Sequence, residues 1–387
     1  MTKAKFKQYI TSLCILFFLI ANFSIPVKAM DKNQDPDFAK IDEYIKLKMK
    51  SSGIPGLSIS IVKKDKIIFA KGYGNVDSSG SLITTKTPFI IGSTSKSFTA
   101  VAIMQLVEAG KIDLDAPVQK YIPWFKVADE NSSSKITVRN LLNHTSGISR
   151  YAAPMVVSRS DLNDLESYVH KLSEVKLNKP VGTTWQYANE NYQILGLIVK
   201  EVSGITYEEY IKKNIFSPLE MKNSFTSKTE AKKDGLTVGH RVLSGLPFEA
   251  DLPYLSAYVP CGYIISSAED MSNYLISQIN NGQYKNKAIL SPKGIEDMHK
   301  PAALAFDNTY YGMGWMVGKI NGIDTIYHSG SIGNYCSDMY IIPEGDFGVI
   351  VLSNIDNPIF SPVSNISDGV VSLLKGKRPY KYVSSYR

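Results

Sequence analysis

Ser93 and Lys96 stand three residues apart in the run Pro88-Phe89-Ile90-Ile91-Gly92-Ser93-Thr94-Ser95-Lys96-Ser97-Phe98. The run opens a segment that reads as a helix entering a core. Residues three apart on a helix share a face. A serine hydroxyl is a weak nucleophile until a neighbour takes its proton, and an amine one turn away can do so when it is partly neutral. Burial and nearby positive charge both favour the neutral amine. The pair therefore has the spacing of an acyl-transfer site.

Spacing alone does not single it out, because Ser-x-x-Lys also occurs at Ser60/Lys63, Ser132/Lys135, Ser173/Lys176 and Ser372/Lys375. Ser60 and Lys63 lie in an alternating strand pattern, where residues three apart point to opposite faces. Ser132 and Lys135 lie in a polar Asn-Ser-Ser-Ser-Lys loop, and Ser173 and Lys176 near the end of a charged segment. Ser372 and Lys375 close an amphipathic run whose basic end suits a helix C-terminus. Only Ser93 and Lys96 precede a long apolar helix (Phe98, Ala100, Val101, Ile103, Met104, Leu106, Val107) that stops at Gly110. Read plainly, Ser93 is an N-cap.

The elements that must hold this pair come from both ends of the chain. Phe38, Ile41, Tyr44, Ile45 and Leu47 have helical spacing over 38–51. Strands 57–63 and 66–73 follow as a hairpin. The middle of the chain carries helical runs near 137–143, 161–172, 190–203 and 206–213. The last third predicts a helix near 267–280, then strands Tyr310–Val317, Asp324–His328, Ser337–Ile342 and Phe347–Leu352, and a closing helix near 361–375. This order predicts an α/β (α+β) fold: an antiparallel sheet flanked by helices, built from both termini, with a mostly helical lobe inserted. The expected bounds are about 38–92 and 256–380 for the α/β lobe and about 93–255 for the helical one. A cleft between lobes is the usual place for a small-ligand site.

Two further motifs fall where such a cleft would lie. Tyr187-Ala188-Asn189 sits on a loop leading into the 190–203 helix, although Tyr-x-Asn recurs at Tyr73/Asn75 and Tyr284/Asn286. Taken alone it is a half-buried tyrosine with Asn189 capping the next helix. His328-Ser329-Gly330 occurs once and leads into Ser331-Ile332-Gly333. A glycine at a strand edge lets another backbone approach closely, which suits a peptide-like ligand lying beside the strand. Taken alone it is a turn with a surface histidine.

In the order Ser-x-x-Lys, Tyr-x-Asn, His-x-Gly, the three motifs resemble the serine β-lactamase and penicillin-binding protein family. The branch resembled is that of class C β-lactamases, D-alanyl-D-alanine carboxypeptidases and related esterases. Segments such as Ile136-Thr137-Val138-Arg139-Asn140-Leu141-Leu142-Asn143-His144-Thr145-Ser146-Gly147-Ile148 look like recurring family blocks, and the resemblance covers nearly all of the chain beyond its leader.

The resemblance implies that Ser93 is the nucleophile and that Lys96 and Tyr187 share proton transfer, with either able to be the base. It implies an oxyanion hole from the backbone N–H groups of Ser93 and Ser331, and substrate binding by Asn189, His328, Ser329 and Gly330, with Asn189 bonding a substrate amide or Lys96. It implies no metal and no cofactor. Many members carry lysine where this chain has His328; a mostly neutral histidine weakens anion recognition while still donating a hydrogen bond. The expected activity is that of a D-Ala-D-Ala carboxypeptidase-like peptidase or weak β-lactamase. A small-ester hydrolase and a non-catalytic peptidoglycan or β-lactam sensor are the alternatives.

Composition bounds the remaining possibilities. Lys3, Lys5 and Lys7 precede an apolar run from Leu13 to Ala21 and then Val27-Lys28-Ala29, the order of a secretory signal peptide over residues 1–29. Residues 30–37 read as a flexible leader and 38–380 as the hydrolase domain. An extracytoplasmic location is expected, with no stable membrane span after signal cleavage. The formal charge of +7 becomes +3 without the leader's Lys3, Lys5, Lys7 and Lys28, since residues 1–29 contain no acid. That balance and the lack of an arginine-rich stripe speak against a nucleic-acid partner and leave a small molecule or peptide, such as a peptidoglycan stem peptide. His144, His170, His240, His299 and His328 lack metal-ligand spacing. Export would permit a Cys261–Cys336 disulfide, but two buried thiols fit the sequence equally.

Overall fold

The computed structural model describes residues 36–150, 158, 160–356 and 362–379. The signal-like segment 1–29 and residues 30–35 of the leader lie outside the described residues. The chain divides at Asp37, and the unit from Phe38 onward carries the fold.

Its frame is an eight-stranded antiparallel sheet. Helix α1 (Phe38–Ser52) is followed by the hairpin β1 (Gly56–Lys63) and β2 (Lys66–Gly74). Six more strands come from the last third of the chain: β3 (Ala303–Phe306), β4 (Thr309–Tyr311), β5 (Met316–Ile320), β6 (Ile323–Ile332), β7 (Tyr335–Ile342) and β8 (Phe347–Ser353). Their order across the sheet is β2-β1-β8-β7-β6-β5-β4-β3. The two ends of the chain join where β1 pairs with β8, from Leu57 opposite Ser353 to Lys63 opposite Phe347. The antiparallel α/β architecture expected from the two termini is therefore the one observed.

Alternation along β1 sorts its residues between two cores. Leu57, Ile59 and Ile61 face α1 and the closing helix Pro362–Leu374, alongside Ile41, Ile45, Val349 and Val351. Ser58 and Ser60 face the other side, where Ser272 Oγ on helix Ala268–Ile279 donates to Ser60 Oγ at 2.7 Å. The larger core on that side contains the helix Ser95–Glu108, here α2, which is buried on every face from Ser95 to Met104. A helix covered all round is a central strut rather than a surface element. Each aliphatic side chain buried in these cores stabilises the fold by about 2 kcal/mol.

Three local differences from the sequence reading have physical causes. The expected strand Tyr310–Val317 is broken into β4 and β5 by Gly312, Met313, Gly314 and Trp315. A Cβ at Gly312 would lie 2.4 Å from Met298 O, and one at Gly314 (φ +80°) 3.0 Å from Ser97 Cα, so this crossing fits only glycine. Strand β3 and the exposed hairpin His240–Leu243/Leu246–Glu249 lack an alternation of polar and apolar residue types that would mark them in the sequence. A two-residue ladder, Phe89–Ile90 with Ile265–Ser266, ties down the chain just before Gly92.

One acid sits where the sheet meets the closing helix. Asp338 on β7 is fully buried and accepts a hydrogen bond from Ser367 Oγ at 2.9 Å. Burial pushes its carboxyl up to about 7, and the buried Asp368 nearby adds to the effect. A folded-state pKa raised above the unfolded one favours the fold below about pH 4, and that contribution is lost as pH rises through 7. Asp338→Asn should therefore be more stable than the native chain at pH 8, by on the order of a few kcal/mol. The gap should close towards pH 4; denaturant titrations at the two pH values check both the sign and the closure.

Candidate active site

The site is built where α2 begins. Gly92 adopts φ +55°, and Gly92–Thr94 form a single 3₁₀ turn that leads into α2. The turn runs on into the helix, where residues three apart share a face, so Ser93 and Lys96 are brought to one side. Ser93 is half-buried, whereas every other residue from Phe89 to Met104 is buried. It is the one side chain of this segment that reaches an opening. Its hydroxyl does not cap α2, whose N-cap is Thr94 without a side-chain cap bond; the plain N-cap reading of Ser93 does not hold.

Lys96 is completely buried, and its ammonium uses all three donors. Nζ donates to Ser93 Oγ at 3.2 Å, to Asn189 Oδ1 at 2.8 Å and to the Cys261 carbonyl at 2.7 Å. All three partners are uncharged. The ring of Tyr187 lies 4.8 Å from Nζ and that of Tyr192 5.7 Å, so two aromatic faces complete the cage. Asn189 opens the helix Asn189–Ser203, but its side chain serves Lys96; the N-cap position belongs to Ala188, without a side-chain bond. The capping role that the sequence permitted for Asn189 is not the one it has.

Cys261 enters through its backbone, which no sequence pattern could have flagged. It lies in the π-helical turn Val259–Tyr263. Thr99 Oγ1 on α2 donates to Pro260 O at 2.6 Å, and Ile264 N–H donates to Ser95 Oγ at 3.2 Å, so the turn is fastened along the helix that carries Lys96. Cys261 and Cys336 are both free and buried, and burial pushes the Cys261 thiol up to about 12.

Strand β6 closes the other side. A Cβ at Gly330 would lie 2.3 Å from Ile91 O, 2.4 Å from Ser337 Oγ and 3.0 Å from Ser93 N; one at Gly92 would lie 2.9 Å from Ser331 N. The two glycines let β6 and the 3₁₀ turn cross at backbone contact, which brings the amides of Ser93 and Ser331 to the same crossing. The side chains of Ser329 and Ser331 alternate away from this face. Ser329 lies opposite Asp338 in the ladder, and Ser331 Oγ donates to Asp356 at 2.5 Å.

His328 is buried, not at the surface. Its Nδ1 meets the carbonyl of Ser329 at 2.8 Å, and a carbonyl only accepts, so Nδ1 carries the proton. Nε2 is then the acceptor for the Tyr311 hydroxyl at 3.1 Å. Burial and the charge of Lys96 push the imidazole down to about 3, so it is neutral across the physiological range. The sequence offered His328 as a hydrogen-bond donor to substrate; in this structure its N–H is already spent on the strand backbone.

Hydroxyl, amine and phenol ring thus share one pocket, with a wall of backbone amides opposite. This arrangement can pass a proton between Ser93 Oγ and Lys96 Nζ and can present two N–H groups to a developing oxyanion. Gly330→Ala should force the strand off the turn. It should cost at least about 2 kcal/mol of unfolding free energy together with most of any Ser93-dependent reactivity; retention of both in a purified variant would show that the crossing tolerates a Cβ.

The sequence model of the family described as Beta-lactamase matches residues 41–367. Among curated proteins, Protein flp of Staphylococcus aureus (strain NCTC 8325 / PS 47) is 29% identical over 321 residues, which cover 82% of this chain and 63% of that protein. The putative penicillin-binding protein PbpX of Bacillus subtilis (strain 168) is 33% identical over 294 residues, 75% of this chain and 67% of that protein. The chain's match therefore spans about two thirds of these relatives' own length, and slightly less for flp. Among solved structures, the octameric penicillin-binding protein homologue from Pyrococcus abyssi superposes with a TM-score of 0.75 at 33% identity, covering 89% of this chain and 79% of that one.

Proposed function

The chain belongs to the beta-lactamase family, and from that premise we propose that it is a serine hydrolase working through an acyl-enzyme on Ser93. The observation that carries the proposal is the ammonium of Lys96, which spans Ser93 Oγ and Asn189 Oδ1 in a fully buried cage. Ser93 Oγ attacks the substrate carbonyl, and its proton passes to Lys96 in its neutral amine form or to Tyr187 as the phenolate, either of which then holds the proton. The amides of Ser93 and Ser331 take the charge on the carbonyl oxygen, each such donor stabilising the transition state by about 3 kcal/mol. The proton then leaves with the departing amine or alcohol, and water hydrolyses the ester to release the acid and free Ser93.

The leading acyl donor is the end of a D-amino-acid peptide, or the β-lactam that mimics it. Similarity to a putative penicillin-binding protein and to a penicillin-binding protein homologue supports this class. The charged, apolar, small-residue order of residues 1–29 supports work outside the cytoplasm, where peptidoglycan stem peptides lie.

A second reading, hydrolysis of small neutral esters, is favoured by one observation. The family position that often supplies a cation for the substrate carboxylate holds a buried, neutral His328 whose two nitrogens are both engaged. A carboxylate gains no ion pair from it, whereas an uncharged ester needs none.

Ser93→Ala should abolish both turnover of nitrophenyl butyrate and the mass adduct formed with penicillin or a fluorophosphonate, while the thermal midpoint shifts by no more than about 5 °C, as expected for loss of one long hydrogen bond at a half-buried hydroxyl. No adduct on the native chain would end the proposal. Ester turnover without release of D-alanine from a D-Ala-D-Ala peptide would select the second reading.

A further inference from the structure

The hydrolase reading assigns no role to His144. Yet it is fully buried, adopts φ +60°, and sits among the rings of Tyr187 (4.5 Å between centroids), Tyr311 (4.7 Å) and Tyr192 (5.2 Å). A non-glycine residue in the left-handed region is uncommon, and strain of this kind is retained where neighbours over-determine it. Two of its hydrogen-bond partners belong to the loop that carries Tyr187. Gln186 N–H donates to His144 O at 2.8 Å, and Ala188 N–H donates to His144 Nδ1 at 3.3 Å. One residue thus holds the backbone on both sides of Tyr187.

The bonding leaves His144 a single ionisation state. The Ala188 amide can only donate, so Nδ1 is the acceptor and Nε2 carries the proton. Asn191 Nδ2 donates to the same Nδ1 at 3.0 Å. Asn191 is itself oriented, because its Oδ1 accepts from Ser146 Oγ at 2.7 Å while that hydroxyl accepts from Ile148 N–H at 3.2 Å. Burial and the charge of Lys96 keep the imidazole neutral. A proton on Nδ1 would set it against two donors and release the Ala188 amide. Nε2–H has no partner among the described residues.

The same turn grips the loop further back, through Thr145 O to Gly182 N–H at 2.8 Å and Gly147 O to Asn178 N–H at 2.9 Å. Those bonds use backbone atoms. Of these bonds between turn and loop, the one from Ala188 is the one made by a side chain and so the one that a substitution can cut.

We infer that His144 is a positioning residue for the hydrolase reaction, acting through the lone pair on Nδ1 to fix the Tyr187-Ala188-Asn189 segment against Lys96. The inference rests on the serine-hydrolase reading, and it makes a requirement of one atom rather than of an imidazole ring. Asparagine can place its Oδ1 where Nδ1 stands and tolerates the left-handed backbone; glutamine, one carbon longer, cannot keep its oxygen there.

The test compares the purified full chain with His144→Asn and His144→Gln, using nitrophenyl butyrate turnover, fluorophosphonate labelling and amide hydrogen exchange, with Ser93→Ala as blank. His144→Asn should keep kcat within about fivefold of the native value. His144→Gln should lose about 100-fold in kcat, the cost of a displacement of roughly 1 Å, with KM changed less than about threefold. Exchange protection over residues 184–190 should fall in the Gln variant only. Equal kcat for the two variants, or unchanged protection in His144→Gln, overturns the inference. If His144→Gln does not fold, the Asn variant decides: retention supports the inference and a folded protein with more than about 30-fold loss overturns it. If the native chain neither labels nor turns over, the hydrolase reading fails by itself, and the exchange data still decide whether His144 holds the loop.

Discussion

The constraint on which the site depends is the burial of one ammonium among partners that carry no charge. Removing an ammonium from water is costly unless each of its donors is satisfied. Lys96 meets that demand with a hydroxyl, an amide oxygen and a carbonyl, drawn from three separate stretches of chain. No carboxylate takes part in this set, so no ion pair pins the proton to nitrogen. Of the three partners, Ser93 is the one that reaches the opening and carries a hydroxyl proton.

Three other features of the fold follow from keeping that cage closed. The π-helical turn at Val259–Tyr263 delivers the Cys261 carbonyl and is itself bonded to α2 through Thr99 and Ser95. Gly314 lets the β4–β5 crossing touch α2 at Ser97, one residue after the lysine. The backbone crossing at Gly92 and Gly330 brings β6 over the open side and leaves Ser93 as the exposed point. The sheet on which these crossings rest is made by the two ends of the chain, through the pairing of β1 with β8. Sheet, helix and cage are therefore coupled by contacts in which a single Cβ is too much.

Much of this was legible in the residues, and the boundary of legibility is physical. The alternating run Leu57–Lys63 and the apolar run Phe347–Leu352 carry their strand period openly, and Ser93 and Lys96 carry helical spacing ahead of an apolar helix. The side chains of Ser93, Lys96, Tyr187 and Asn189 could be named because each has functional atoms of its own. The Cys261 carbonyl could not, since every residue has one. The break between β4 and β5 was hidden because Tyr310, Tyr311 and Trp315 favour strands on either side of it, and the need for Gly312 and Gly314 comes from Met298 and α2, far away in sequence. His328 looked like a surface donor because Tyr311 and the Ser329 carbonyl, which use up its nitrogens, meet it only after the strands pair. His144 stood in a quoted block without a role for the same reason.

The two histidines bear on the chemistry in one further way. Both are buried beside Lys96 and both are held neutral, in part by its charge. Their tautomers are opposite: His328 donates from Nδ1 to a strand carbonyl, whereas His144 accepts at Nδ1 from a helix-capping amide. Tyr187 lies between them, with ring centroids 4.5 Å from His144 and 6.3 Å from His328. Charging either ring would place a second cation in the pocket; at His144 the added proton would break the bond from the Ala188 amide, and at His328 it would displace the bond donated by the Tyr311 hydroxyl. Neutral imidazoles thus keep the geometry and the charge of the pocket in step.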